Sequence, residues 1–408
     1  MEENFLIRKR KFDPKTFFIS ILHLAVTTNE DGGSTALRRA WRDCGFKCSQ
    51  TPWKSSLSEY RQKVSFNFFK DVWQHSLNQI KEARKKWRGL YIYSIDGDEY
   101  DLPASDDLFD QGYRGYRLKR KRETYYPRMY TVQVLDALNG IIVDFAQSHR
   151  KQEVHLARES AAKLEKNSLT IYDRLHACFK TAQLHVQNGN YFLIRVKAQN
   201  PKNQLVLQKF YRSKKKSQWV DLPACRNDLK QDPTLKPLRI RLVKIKTAKM
   251  SRACVLMTNL PENKASDEEL GCLYQRRWEI ETAFRDLTST LKLNQWRSKK
   301  LNGILQEIFA LFWLVNQVKL RLSQVLKSRN WLKEKYVRAN FKFCMSIVTD
   351  HLEMLICKRH RKLNKLLDYW LKRSVEKREH LSRSYLRQIK YSENTYKYKS
   401  SRSVKRRS

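Results

Sequence analysis

A chain of 408 residues with 83 lysines and arginines against 41 acids carries a formal charge of +42. That excess excludes an ordinary enzyme of small metabolites, because self-repulsion of this size destabilises a compact chain unless a polyanion relieves it, and nucleic acid is the expected partner. The 19 tyrosines, 18 phenylalanines and 10 tryptophans exclude a wholly disordered basic protein, since they supply the apolar area that folding needs.

The length allows two or three domains. Eight cysteines follow no repeated spacing and form no CxxC pair, which points to free thiols in a reducing compartment rather than to a metal centre. The opening MEENFLIRKRKF lacks the apolar run of a secretory signal, and the longest apolar run, Ile308 to Val315, is too short to span a bilayer. A soluble, intracellular protein with no membrane partner is expected.

From Pro14 to about Ile80, apolar residues recur at spacings of three and four: Phe17, Phe18, Ile21, Leu22 and Ala25, then Phe66, Phe69, Trp73, Leu77 and Ile80. Gly32-Gly33 reads as a break, and Ser34 as a cap for a segment ending at Gly45. A small basic helical domain results, in which Arg38, Arg39 and Arg42 either read DNA in the helix-turn-helix manner or solvate one face.

At Leu90 the texture changes. LYIYSI is rich in aromatic and β-branched residues and reads as a central strand buried on both sides, ending in Asp96-Gly97-Asp98. An acid there is either a functional group or a turn cap. Gly112 to Arg128 interleaves tyrosines with six basic residues before Glu123, among them Arg117, Lys119 and Arg120. It reads as a phosphate-tracking loop with stacking rings, or as a solvated charge run. Met129–Val134 and Ile141–Phe145 flank Asn139-Gly140, a hairpin signal. A helix (EVHLARESAAKLEK), a strand ending in Asp173 (LTIYD), a helix (RLHACFKTAQLHVQ) and a strand (NYFLIRVK) follow. This order predicts an α/β fold, a mixed sheet with helices on its faces.

Between residues 198 and 264 that logic lapses. VLQKFY, QWVDLP, LRIRLVKIK and ACVLMTNL read as strands with no helix between them, an all-β insertion. Its basic residues, Lys214 to Lys216 with Arg239, Arg241, Lys244 and Lys246, offer a face for phosphates or an ordinary solvent face. Ser266 to Lys292 then reads as one helix opened by a Ser266–Glu269 capping box. Leu273, Ile280, Phe284, Leu287 and Leu291 form its core stripe, while Tyr274, Arg277, Glu281, Arg285, Thr288 and Lys292 line a second stripe about 90° away. GILQEIFALFWLVNQVKL is an apolar helix expected to pack on the sheet or its neighbours. The remainder is helical and basic, with eighteen lysines and arginines against four acids from residue 358 onward, and a flexible phosphate-binding tail is expected from about Ser392.

Three acids converge on one chemistry. Adjacent central strands ending on one edge bring Asp96 and Asp173 together, and a helix crossing that edge adds Glu281. Three clustered carboxylates call for divalent cations; Mg2+ (or Mn2+) suits hard oxygen ligands, and two ions roughly 3.5–4 Å apart serve both the attacking and leaving oxygens of a phosphodiester. No P-loop, HExxH or Gly-x-Ser-x-Gly pattern competes.

These residues resemble the DDE transposases of bacterial insertion sequences, which have a ribonuclease-H-like core. They are similar in particular to the insertion sequence 4 family, whose third acid lies in a Tyr-x2-Arg-x3-Glu-x6-Lys signature and whose core carries a β-strand insertion. Tyr274, Arg277 and Glu281 match at that spacing within YQRRWEIETAF, SIDG surrounds Asp96, and IYDR surrounds Asp173. The likeness runs from about residue 88 to 320.

The resemblance implies that Asp96, Asp173 and Glu281 are catalytic metal ligands and that Tyr274 and Arg277 contact the DNA of the element ends. The place of the signature lysine is Thr288, and Arg285 and Lys292 are the candidates to substitute for it. Trp219 is a candidate to hold a flipped base, with a core tryptophan as the other reading. The implied activity is cut-and-paste transposition: metal-assisted hydrolysis at the element end, then attack of the freed 3′-hydroxyl on target DNA. Double-stranded DNA is the implied partner, a homodimer the implied synaptic form, and the bacterial cytoplasm, at the nucleoid, the implied location. The expected organisation is a helical DNA-binding domain over 1–87, a ribonuclease-H-like core over 88–320 with its insertion at 198–264, and a helical basic region over 321–408. A DNA-binding protein without catalysis, or a structure-selective nuclease that cuts without joining, stands as the alternative.

Overall fold

The computed structural model describes residues 12–26, 32–115, 126–196, 205–245, 254–291, 293, 295–327, 337–371, 373 and 376–377. Two compact units emerge: Ala83–Glu99 with Tyr130–Phe284, and Met1–Glu82 with Tyr100–Met129 and Arg285–Ser408.

The first unit is built on one sheet of eight strands: β1 (Tyr91–Asp101), β2 (Arg128–Asp136), β3 (Ile141–Ser148), β4 (Ser168–Tyr172), β5 (Tyr191–Arg195), β6 (Ser217–Leu222), β7 (Leu238–Ile245) and β8 (Cys254–Thr258). Their order is β3-β2-β1-β4-β5-β8-β7-β6. β1, β4 and β5 run parallel, while β2 and β3 form an antiparallel hairpin turned at Gly140, whose φ of 67° suits glycine. The first five strands in this order make the ribonuclease-H-like arrangement. Segment 198–264 supplies β6, β7 and β8, which continue the same sheet antiparallel from β5.

Alternation along the strands divides the core into two layers. Tyr91, Tyr93, Ile95, Val132, Phe192 and Leu242 face a cluster with Leu156, Phe179, Leu207 and Phe210, supplied by the helices Glu153–Ala162, Phe179–Gln187 and Leu205–Arg212. Leu90, Ile92, Leu169, Ile171 and Leu193 face the other way, onto Leu270, Leu273 and Tyr274 of the helix Asp267–Gln275.

Three local expectations are corrected. VLQKFY is a helix, because Leu207 and Phe210, three residues apart, are its buried pair; so short an apolar run does not distinguish the two periods. β1 does not stop at Asp96 but runs on to Asp101, held to β2 through Thr131 Oγ1 donating to Asp98 O at 2.9 Å. The Ser266–Lys292 helix is not continuous. Its capping box is present, with Ser266 Oγ accepting from Glu269 N and Glu269 Oε2 from Ser266 N, but the chain tightens to i→i−3 bonds at Arg276 and Arg277. It resumes as Trp278–Arg285 and passes into a π turn, Asp286–Thr290.

In the second unit, the helices Pro14–Val26, Lys54–Lys63 and Asn67–Ile80 pack against the long helix Leu301–Lys327, which also meets Phe341–Asp350 and His360–Leu371. The apolar spacing read in the sequence is the packed one: Trp73 lies 5.5 Å from Phe309 and 5.7 Å from Phe312, and Phe18 lies 5.2 Å from Trp313. Two buried charges of this unit are paired, Arg61 with Glu307 at 2.7 Å and Asp43 with His23 at 2.7 Å. No described helix is long and apolar enough to cross a membrane.

Candidate active site

The two aspartates meet because of strand register. β1 and β4 pair in parallel from Tyr91↔Ser168 to Ser94↔Ile171, and two further residues bring Asp96 opposite Asp173, with strands about 4.8 Å apart. By alternation Asp96 shares the face of Leu90 and Ile92, and Asp173 that of Leu169 and Ile171, the face covered by Leu270, Leu273 and Tyr274. β4 ends at Tyr172, so β1 outlasts its neighbour and Asp96 borders an open edge. Asp173 caps the short turn of helix Arg174–His176 by accepting from Leu175 N at 2.6 Å.

Glu281 is joined to this pair by one guanidinium. Arg277 Nη1 stands 2.8 Å from Glu281 Oε1 and 3.4 Å from Asp96 Oδ2, with its charge 4.4 Å over the Trp278 ring. Burial works against the Arg277 charge, but the Glu281 hydrogen bond, Tyr274 and the charges of Glu281 and Asp96 outweigh it and raise its pKa. Asp96 is pushed up to about 6, chiefly by burial, with Asp173 and Glu153 adding to the rise and the Gly97 N–H and Arg277 opposing it. Burial pushes the Tyr274 hydroxyl up to about 12, so it remains a neutral donor.

Three residues of this neighbourhood escaped the sequence reading. Glu153, in the first turn of the helix Glu153–Ala162, lies against the Cα of Gly97 and next to His176, 3.5 Å from its Nε2. The fully buried His176 ring also faces Asp173 Oδ1 at 3.9 Å. Arg195, the last residue of β5, acts on Tyr274. All lie at the ends of elements, which sequence periodicity does not fix.

The remaining candidates scatter. Arg285 closes its helix, and its side chain is exposed; Thr288 sits half buried in the π turn. Trp219 is half exposed on β6, the outermost strand, and donates from Nε1 to Glu262 Oε1 at 3.2 Å, so it is not a core tryptophan. Arg117, Lys119, Arg120, Lys292 and the tail from Ser392 lie outside the described residues. The basic face expected on β7 is largely turned to structural use. Arg241 is buried, bonds Ala265 O at 2.8 Å and pairs with Asp267, which anchors the start of the Asp267–Gln275 helix. Arg239 pairs with Asp221 and Lys244 donates to Ser213 O.

The donor set suits a hard divalent cation: Asp96, Asp173 and Glu281 offer carboxylate oxygens, and the crowding of negative charge felt by Asp96 is what such an ion relieves. Among the described residues, no three His, Cys, Asp or Glu side chains stand as an ion-holding group, and the Arg277 guanidinium lies between Asp96 and Glu281.

The family described as "Transposase DDE domain" matches residues 81–317, more than half of the chain. Among individual proteins, the chain is 29% identical over 126 residues to the "Putative transposase InsZ" of Escherichia coli K12, which covers 30% of this chain and 42% of that protein. It is 38% identical over 60 residues to the "Transposase for insertion sequence element IS421" of Escherichia coli, covering 15% of this chain and 16% of that one. The chain thus spans less than half the length of either relative. A solved piggyBac transposase synaptic complex with hairpin DNA aligns at TM-score 0.47 and 13% identity, over 93% of this chain and 80% of that one, a likeness too distant to bear on function.

Proposed function

This chain belongs to the transposase DDE domain family, and on that footing we propose that it is a DNA transposase of an insertion sequence, of the insertion sequence 4 type by its Tyr274, Arg277 and Glu281. The reading rests most heavily on the strand register that sets Asp96 opposite Asp173, together with the one guanidinium that ties Asp96 to Glu281. Asp96, Asp173 and Glu281 hold two divalent ions, Mg2+ or Mn2+. Such ions supply Lewis acidity and an activated attacking oxygen at a phosphodiester.

The chain's own groups do the rest. Tyr274 remains protonated through the neutral range and donates to a phosphate oxygen without bringing charge of its own. Arg277, held positive by its neighbours, gives the DNA a bidentate contact. The basic loop with Arg117, Lys119 and Arg120, together with Arg285 and Lys292, tracks the backbone of double-stranded DNA, and Trp219 stacks on an unpaired base. Cleavage at the element end and strand transfer into target DNA share this site, two copies of the chain synapse two ends, and the work takes place in the bacterial cytoplasm. The helices before residue 88 recognise the ends.

Thr288, at the place of the signature lysine, favours a second reading, an inert DNA-binding relative. Nicking of the DNA that bounds the gene, with and without Mg2+, separates the two: the transposase nicks at the boundary, and the inert protein binds without nicking. Joined strand-transfer products distinguish a transposase from a nuclease that only cuts.

A further inference from the structure

We propose that Glu153 is a fourth carboxylate of this site, reaching its divalent cation from the opposite face of the sheet, admitted by the bare Cα of Gly97 and oriented by His176. The inference rests on the reading of Asp96, Asp173 and Glu281 as metal ligands.

The three aspartate and glutamate positions above all belong to the face covered by the Asp267–Gln275 helix. Glu153 does not; its helix covers the other face, with Leu156 and Ala157 in the opposite core layer. It approaches Asp96 only because residue 97 has no side chain. A Cβ built on Gly97 would stand 2.6 Å from Glu153 Cδ, 2.7 Å from Cγ and 3.0 Å from Oε2. The first two distances are shorter than real Cβ contacts, so any other residue there displaces the Glu153 side chain. Glycine inside a strand, where it weakens packing, marks just such a close approach. The carboxylate so admitted is only one-quarter exposed and adds to the negative field at Asp96.

His176 is the independent sign that this corner is built for a ligand. Its ring is fully buried, and neither ring nitrogen completes a hydrogen bond, although buried polar groups are nearly always satisfied. Nε2 is nonetheless aimed at two acids at once, Glu153 Oε1 at 3.5 Å and Asp173 Oδ1 at 3.9 Å. An imidazole poised between two carboxylates from opposite faces orients both, as outer partners of metal-ligating carboxylates do. The ring also packs at a tilt against Tyr172, 5.1 Å between centroids, which limits its freedom to turn away from the acids.

The test is Mn2+ binding to the metal-free full chain by titration calorimetry, with thermal midpoints as the folding control. Glu153→Gln and Gly97→Ala are both expected to weaken Mn2+ at least about tenfold, the lower end of what losing a supporting partner costs a metal centre. Gly97→Ala removes no carboxylate from the chain and acts only by displacing that of Glu153, so it carries the test if Glu153→Gln fails to fold. His176→Asn, which keeps a donor before the two acids, is expected to retain more of the affinity than His176→Leu at matched midpoints. Wild-type affinity in Glu153→Gln and Gly97→Ala, with Asp96→Asn weakened, overturns the role of Glu153 and leaves the three-acid site standing. Wild-type affinity in Asp96→Asn too, or no binding by the wild type, overturns the three-acid reading and this inference with it.

Discussion

Arg277→Gln should tighten metal binding while it impairs work on DNA, because the guanidinium lies where the acids would otherwise face a cation alone. Nη1 is 2.8 Å from Glu281 Oε1, so an ion ligated by that oxygen at about 2.1 Å stands within about 5 Å of it. A unit and a divalent charge at that distance repel by roughly 1.7 kcal/mol in a water-like dielectric and by roughly 7 kcal/mol at an effective dielectric of about 20. Glu281 is 42% exposed, which favours the lower figure, and about 1.4 kcal/mol is tenfold in affinity. The glutamine variant should therefore bind Mn2+ about tenfold more tightly by calorimetry, and nick boundary DNA more slowly for want of a phosphate contact. Weaker Mn2+ binding in Arg277→Gln would refute the reasoning, since it would make Arg277 a clamp that assembles the acids rather than a competitor for them.

Glu307→Leu strands the Arg61 guanidinium, which is buried and otherwise bonded to Gly303 O and Gln306 Oε1. Urea unfolding should show a loss of about 3–5 kcal/mol, and a loss under about 1 kcal/mol contradicts a buried pair. Burial lowers His185 to about 4 from 6.5. The unfolded chain thus holds the proton more tightly, and stability should fall by about 3 kcal/mol as pH drops across that window. His185→Gln should flatten this slope, and an unchanged slope counts against the buried neutral ring. Burial tends to raise Asp43, but His23 and Arg42 prevail and lower it below 3.8. Its contribution is therefore present above that value and lost as pH falls through the lowered one. Urea midpoints at about pH 5 and about pH 3 should converge between wild type and Asp43→Asn at the lower pH; a gap that stays constant refutes the assignment.

Much of the sheet was legible because its strands alternate cleanly or run apolar throughout: LYIYSI, LTIYD and YFLIRV are β1, β4 and β5, and Asn139-Gly140 announced the hairpin. The positions of the two candidate aspartates were legible for a related reason. Asp96 and Asp173 stand at or just beyond the last residues of parallel pairing, where a polar side chain interrupts an apolar run. The capping box at Ser266 was equally visible, since it is a purely local signal. What sequence did not reveal depends on contacts between distant segments. Whether VLQKFY coils or extends was decided by what Leu207 and Phe210 pack against, and the break at Arg276-Arg277 by bonds that no propensity distinguishes. Arg241 looked like a phosphate contact until Asp267 and Ala265 proved to be its partners. Glu153 and His176 carried no signal at all, because one is an ordinary first-turn acid and the other an unremarked histidine until Gly97 is set beside them.

The central claim is that Asp96, Asp173 and Glu281 form one metal-dependent centre for DNA cleavage and joining. The most direct measurement is nicking and strand transfer on boundary DNA with Mg2+, for the wild type and for Asp96→Asn, Asp173→Asn and Glu281→Gln, alongside binding of the same DNA. Each carboxamide variant is expected to lose both reactions by more than about a hundredfold while holding the DNA as the wild type does. Strand transfer at the wild-type rate by any one of the three would contradict the account.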